Sequence, residues 1–74
     1  MKDDKTRKNT FIKKMVLHAF SVKFHSDDKE KQKTSISWFL AIASLYKELT
    51  NDNETVRKIC IENKVEFLID KYGL

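Results

Sequence analysis

Apolar residues recur at helical spacing between positions 11 and 22. On a helical wheel, one arc is apolar and the opposite arc is polar: Phe11, Ile12, Met15, Val16, Ala19, Phe20 and Val22 against Lys13, Lys14 and Ser21. This period predicts an amphipathic helix over about residues 10–22, capped by Asn9 or Thr10. Because Lys23 falls inside the apolar arc, we expect the helix to end near Val22. Residues 20–25 also alternate between apolar and polar types, which leaves a short strand open there.

A second, more apolar helix is predicted over about residues 34–49. Asp27 or Asp28, followed by Glu30, can cap its start. Two apolar stripes run side by side along it, the first formed by Ile36, Phe39, Leu40, Ala43 and Tyr46 and the second by Trp38, Ile42, Leu45 and Leu49. Only a narrow wedge is small or polar, and it holds Ser37, Ala41, Ser44 and Glu48. A helix apolar over so wide an arc must be covered on two sides.

The last third of the chain follows a turn at residues 50–53, where Asn51, Asp52 and Asn53 are turn or N-cap residues. Two apolar faces follow, formed by Val56, Ile59 and Cys60 and by Val65, Leu68, Ile69 and Tyr72, and they are rotated by nearly half a turn. One helix over residues 54–72 therefore fits less well than two, over about 54–62 and 65–72. Asn63 tolerates the left-handed conformation that would join them.

These elements predict an all-α protein, a small bundle of three or four helices around a hydrophobic central helix. The chain has no proline and a single glycine, so it lacks the turn-forming residues that separate the strands of a multi-stranded fold. We expect one helical domain over residues 10–74, preceded by a flexible basic arm over residues 1–9. No stretch reads as a signal peptide or as a membrane span, so a cytoplasmic protein is expected.

Positive charge is concentrated in the front half. Residues 1–33 hold ten Lys and Arg against five Asp and Glu, whereas residues 34–74 hold five against six. The cations that could contact a phosphate backbone are Lys5, Arg7, Lys8, Lys13, Lys14 and Lys31. Aspartates interleave with the lysines of this half, which weakens a continuous positive stripe. A solvated, solubilising surface is therefore the simpler explanation of the charge.

Residue types that carry site chemistry are scarce. Cys60, His18 and His25 are the only soft-metal candidates, and no two of them have zinc-ligand spacing. The chain has neither a glycine-rich phosphate loop nor a closely spaced nucleophile and base. We therefore expect no enzyme activity, no cofactor, no metal and no small-molecule substrate. Residues 57–72 superficially resemble a helix-turn-helix. Glu66 and Asp70 balance Lys64 and Lys71, however, so the second helix is electrostatically neutral, and two packed core helices explain the pattern better.

The second stripe of the central helix is the strongest candidate for a binding surface. One possibility is that the terminal helices of so short a chain cover it. If they do not, the residues expected at a protein interface are Trp38, Ile42, Leu45, Tyr46 and Leu49. The sequence thus favours a small regulator, adaptor or inhibitor that binds another protein or itself, as a homodimer for example. Thirteen lysines against two arginines hint at an AT-rich genome. A phage, plasmid or toxin-antitoxin origin would suit this codon bias and the small size of the protein.

Two other functions stay open at this point. One is a nucleic-acid-associated protein that binds phosphate through its basic N-terminal half. The other, less favoured, is a membrane-active peptide that uses the helix around Lys13 and Lys14, although the apolar residues 36–49 look like material for a folded core.

Overall fold

The computed structural model describes residues 2–74, with side chains from Lys5 onward. Its helices are α1 (Lys2–Phe24), α2 (Lys29–Thr50), α3 (Asn53–Glu62) and α4 (Phe67–Tyr72). This part of the chain contains no strand, so the predicted all-α class is confirmed and the strand considered for residues 20–25 is wrong. Residues 53–72 form two helices rather than one.

Helix α1 is longer than the sequence predicts at both ends. It begins at Lys2, so residues 2–9, which we expected to be a flexible arm, are its first two turns; Met1 lies outside the described residues. Lysine and arginine favour helix, and extending a formed helix costs little, which explains the early start. The predicted cap at Asn9 or Thr10 is wrong, since the Thr10 hydroxyl donates to the Thr6 carbonyl inside the helix at 2.9 Å.

Helices α1 and α2 pack as an antiparallel hairpin. Asp28 is the N-cap of α2, because its Oδ1 accepts the Lys31 N–H at 3.3 Å. The Gln32 amide donates to the Val22 carbonyl at 3.2 Å, which satisfies an acceptor in the last turn of α1. Ser21 and Ser35 share a hydrogen bond of 2.9 Å between the two helices. These polar contacts fix the register of the hairpin at its closed end.

Helix α2 ends in a left-handed residue, and α3 begins almost immediately. Asn51 has φ 57°, and its N–H donates to the Lys47 carbonyl. Asp52 is the N-cap of α3 and accepts the Thr55 N–H at 3.1 Å. The turn residues singled out from the sequence thus act as a C-cap and an N-cap in direct succession, which folds α3 back toward the hairpin.

The junction between α3 and α4 differs from the prediction by one residue. Lys64, not Asn63, adopts the left-handed conformation, with φ 60°. Asn63 instead uses its side-chain amide to donate to the Ile59 carbonyl at 2.9 Å. Lys64 and Val65 donate their N–H groups to the carbonyls of Ile61 and Cys60, which is the hydrogen-bond pattern of a Schellman motif.

All four helices contribute to one core. Its buried residues are Met15, Ala19, Val22, Phe39, Ala43, Tyr46, Val56, Ile59, Cys60, Val65 and Leu68. On α2 it is the first predicted stripe that faces this core, with Ile36 and Leu40 partly buried at its edge. Two residues assigned to the apolar arc of α1 are instead exposed, Val16 at 39% and Phe20 at 59%. The buried arc of α1 is narrower than its apolar arc because one neighbouring flank of that helix has no cover.

Candidate protein-interaction surface

The second apolar stripe of α2 lies open to solvent. Trp38, Leu45 and Leu49 are exposed by 57%, 50% and 64%, and Ile42 between them is partly buried against the core. Their spacing of four, three and four residues places them on one flank of the helix. We call these four residues, together with His18 of α1, the Trp38 face.

His18 holds the indole of Trp38 from the neighbouring helix. The two rings are stacked, with centroids 5.9 Å apart and an angle of 10° between their planes. Next to the indole, Trp38 forms a shallow groove of about 240 Å³ with Thr34, Ser37 and Ala41. The tryptophan therefore has one ring face against α1 and an open groove beside it. Stacking on His18 restricts the rotamers that the indole can adopt.

Tyr46, predicted as part of the interface, lies in the core instead. It is 2% exposed, its ring meets Phe11 edge-on at 6.5 Å, and its hydroxyl donates to Asp52 Oδ2 at 2.9 Å. Burial, followed by the hydrogen bond and charge of Asp52, raises the pKa of the Tyr46 phenol. Tyr46 belongs to the first stripe by its position on the helix, and the polar end of its side chain finds a partner at the start of α3.

A second exposed apolar patch lies on the outer side of α1 and was not predicted. Leu17, Phe20 and Phe24 are exposed by 61%, 59% and 67%, and the two phenylalanine rings stack at 6.2 Å. In the sequence Phe20 reads as a core residue, so no local signal separates it from Ala19 or Val22. This patch belongs to α1 alone, whereas the Trp38 face combines a flank of α2 with His18 of α1.

The six cations proposed for phosphate contact are all exposed, but they do not form one stripe. Arg7 and Lys14 lie on the flank of α1 that also carries His18, because the spacing of the three is seven and four residues. Lys31 lies on the flank of α2 that carries Trp38. Neighbouring positions on a helix are rotated by about 100°, so Lys8 and Lys13 point away from Arg7 and Lys14. Lys5 lies on yet another side of α1.

The remaining chemical candidates are structural in the part of the chain described. Cys60 is fully buried, and burial, with a smaller contribution from the Glu66 charge, raises the pKa of its thiol to about 11. Among the side chains described, no group of three or more His, Cys, Asp or Glu could hold a metal ion. In the helix-turn-helix-like segment, Ile59 of α3, Val65 of the connection and Leu68 of α4 all lie in the core.

Within residues 2–74, no helix combines the length and the apolar character needed to cross a bilayer.

Comparisons of the chain with protein-family models, with curated proteins and with solved structures find no match.

Proposed function

We propose that this chain is a small, non-enzymatic protein-binding regulator, adaptor or inhibitor that acts through the Trp38 face. The observation that carries the proposal is that Trp38, Leu45 and Leu49 are exposed by 57%, 50% and 64% along one apolar flank of α2. Tryptophan is among the residues most enriched at the energetic centres of protein interfaces. A cytoplasmic location, expected from the sequence, stays part of this proposal.

Comparison of the two flanks of α2 supports this function. Ile36 and Leu40, on the other flank, are partly buried against the core, and the exposed wedge between the flanks is small or polar. Leu45 and Leu49 have no such cover, although they are leucines like Leu40. Leaving such side chains in water costs about 1.5 to 3 kcal/mol each relative to burial, which a bound partner can recover.

The test is affinity capture from a lysate of the organism that carries the gene, with and without nuclease. We expect a partner that survives nuclease and is lost with Leu45→Glu/Leu49→Glu. The matched control is Leu17→Glu, since Leu17 is equally exposed but lies on the outer side of α1. Circular dichroism verifies that each variant is folded. If all baits retain the same partners, the Trp38 face is not the binding surface.

Self-association is tested separately, by sedimentation equilibrium of the wild type and the same variants. A dimer that dissociates in Leu45→Glu/Leu49→Glu, but not in Leu17→Glu, would mean that the Trp38 face pairs with a second copy.

Nucleic-acid binding is the second candidate, and one observation favours it. Residues 5–24 of α1 carry six Lys and Arg and no Asp or Glu, and a base stacked on Trp38 would lie within about one helical turn of Lys14. Binding of this kind weakens steeply between low and physiological salt, whereas an apolar interface changes little. Loss of all captured material on nuclease treatment would favour this candidate.

A further inference from the structure

We infer that the occupant of the Trp38 face is an acidic amphipathic helix of another protein. The inference rests on the proposed function and names the class of partner. It draws on two features of the hairpin: the length of the exposed apolar flank and the sign of the charge beside it.

The dimensions of the face suit a helix. From Trp38 to Leu49 the flank rises by about 16 Å, which is three turns of a partner helix. The face is bordered on one side by α1, whose His18 stacks on Trp38. The shallow groove beside the indole lies on α2 itself and is lined by Thr34, Ser37 and Ala41. An amphipathic helix that docks on such a face places apolar anchors three and four residues apart, which matches the spacing of the four apolar residues of α2.

The charge beside the face selects an acidic partner. The contacts Phe11 with Tyr46 and His18 with Trp38 set the hairpin register. In this register Lys14 is level with Ile42 and Leu45, and Arg7 is level with Leu49. Lys31 lies on the same flank of α2 one turn before Thr34. Carboxylates of a partner would therefore meet cations along the α1 edge of the Trp38 face. Such charge complementarity speeds the encounter of the two proteins and fixes the orientation of the bound partner.

The same charge disfavours an antiparallel pair of two copies of this chain. Residues 5–24 of α1 carry no acidic side chain, so antiparallel pairing of two Trp38 faces brings cationic helices together. The carboxylates of α2, Glu30 and Glu48, lie about 60° beyond Leu45, on the side of the helix away from α1. Like charges placed opposite each other destabilise an interface.

The experiment titrates the full chain with three synthetic peptides of about 18 residues. The first is an amphipathic helix with leucines at helical spacing and glutamates elsewhere, the second has lysines in place of the glutamates, and the third is a scramble of the first. Trp38 is the only tryptophan of the chain, so its fluorescence reports binding directly, and the anisotropy of a labelled peptide gives the affinity. We expect a blue shift and binding with the first peptide only.

Charge variants test the recognition. Arg7→Glu/Lys14→Glu should weaken binding of the acidic peptide by at least about tenfold and should gain affinity for the lysine peptide. The matched control is Lys33→Glu/Lys58→Glu, which makes the same change in net charge at exposed positions away from the face. No binding of the acidic peptide up to about 1 mM, equal binding of its scramble, or equal weakening in the control pair would overturn the inference.

The outcomes separate this inference from the function beneath it. If the acidic peptide fails but the captured partner still depends on Leu45 and Leu49, the interface stands and its partner is not an acidic helix. If the acidic peptide does not bind and the captured partner does not depend on Leu45 and Leu49, both the inference and the proposed function are wrong. A single-stranded oligonucleotide that binds where the acidic peptide does not, with loss in the Arg7 and Lys14 variant, would also overturn it and favour nucleic acid.

Discussion

At the residue scale, Asp52 joins α2 and α3 through one carboxylate. Its Oδ1 accepts the Thr55 N–H, and its Oδ2 accepts the hydroxyls of Thr55 and Tyr46. These hydrogen bonds, the Thr55 hydroxyl foremost, lower the pKa of Asp52. The residue thereby caps α3 and ties its first turn to a core tyrosine of α2.

We predict that Asp52→Ala lowers the urea midpoint of unfolding by more than Asp28→Ala does. Both residues are N-caps, but Asp28 makes a single bond of 3.3 Å to the Lys31 N–H. The difference therefore measures the link to Tyr46 and Thr55 beyond ordinary capping. Equal midpoints for the two variants would contradict the prediction.

Stability should also depend on the ionisation of Asp52. Because its pKa is lower in the folded state, its contribution is fully present above the ordinary value of 3.8 and is lost as the pH falls through the folded pKa. Urea unfolding across this acid range should therefore show a weaker pH dependence in Asp52→Asn than in the wild type.

Cys60 should behave as a core residue rather than as a reactive thiol. With its pKa raised to about 11 and its side chain buried, we expect very slow labelling by a disulfide reagent at pH 8, with a rate that follows unfolding when urea is added. The folded state binds the proton more tightly, so its contribution to stability is lost as the pH rises from 9.0 toward 11. Labelling of the native protein as fast as that of the urea-unfolded chain would show that the thiol is accessible.

At the scale of single elements, the end of α3 stores a small amount of strain. A lysine in the left-handed region is less favourable than glycine, which adopts it without a steric penalty. We predict that Lys64→Gly stabilises the protein by about 0.5 to 1 kcal/mol. Lys58→Gly, at an exposed position inside the same helix, should destabilise it by about 1 kcal/mol. Thermal unfolding of the two variants measures both changes in stability. Equal changes would mean that Lys64 is not left-handed in solution.

The two stripes of α2 should differ sharply in their contribution to folding. Phe39 is fully buried, so Phe39→Ala is expected to cost about 3 to 5 kcal/mol and to unfold much of the protein. Trp38 is adjacent in sequence but exposed, and Trp38→Ala should cost at most about 1 kcal/mol. Circular dichroism at increasing urea measures both, and a comparable loss in the two variants would place the indole in the core.

At the scale of the whole molecule, the core is thin and depends on the short C-terminal helix. The described chain measures 42 × 19 × 18 Å, so most residues lie near its surface. Val65 and Leu68 are nevertheless fully buried, and such side chains are worth about 1.5 to 3 kcal/mol each. Their sum is a large part of the roughly 5 kcal/mol that a small domain has available.

We therefore predict that removing residues 65–74 abolishes cooperative thermal unfolding, followed by circular dichroism at 222 nm. Phe67→Ala serves as the control, because Phe67 lies in the same segment but is 44% exposed. The control should unfold cooperatively at nearly the wild-type temperature. A truncated chain that still melts cooperatively would mean that α1, α2 and α3 form a sufficient core.

Much of this architecture follows from local sequence. The apolar period of residues 11–22 and 36–49, the aspartates at 28 and 52, and the absence of proline decide that helices form and roughly where two of them start. The exposure of Trp38, Leu45 and Leu49 is also predictable in part, because one side of a helix with two apolar stripes is left over when the chain is short. These features depend only on residues a few positions apart.

Tertiary structure decided the rest. Phe20 and Ala19 are equivalent in a local pattern, yet one is exposed and the other buried, because burial depends on which flank of α1 meets another helix. The hydrogen bond from Tyr46 to Asp52, the ring stack of His18 on Trp38 and the left-handed Lys64 in place of Asn63 all result from how separate segments meet. Helical periodicity shows which side chains avoid water, but only the packing of distant helices determines which of them are covered.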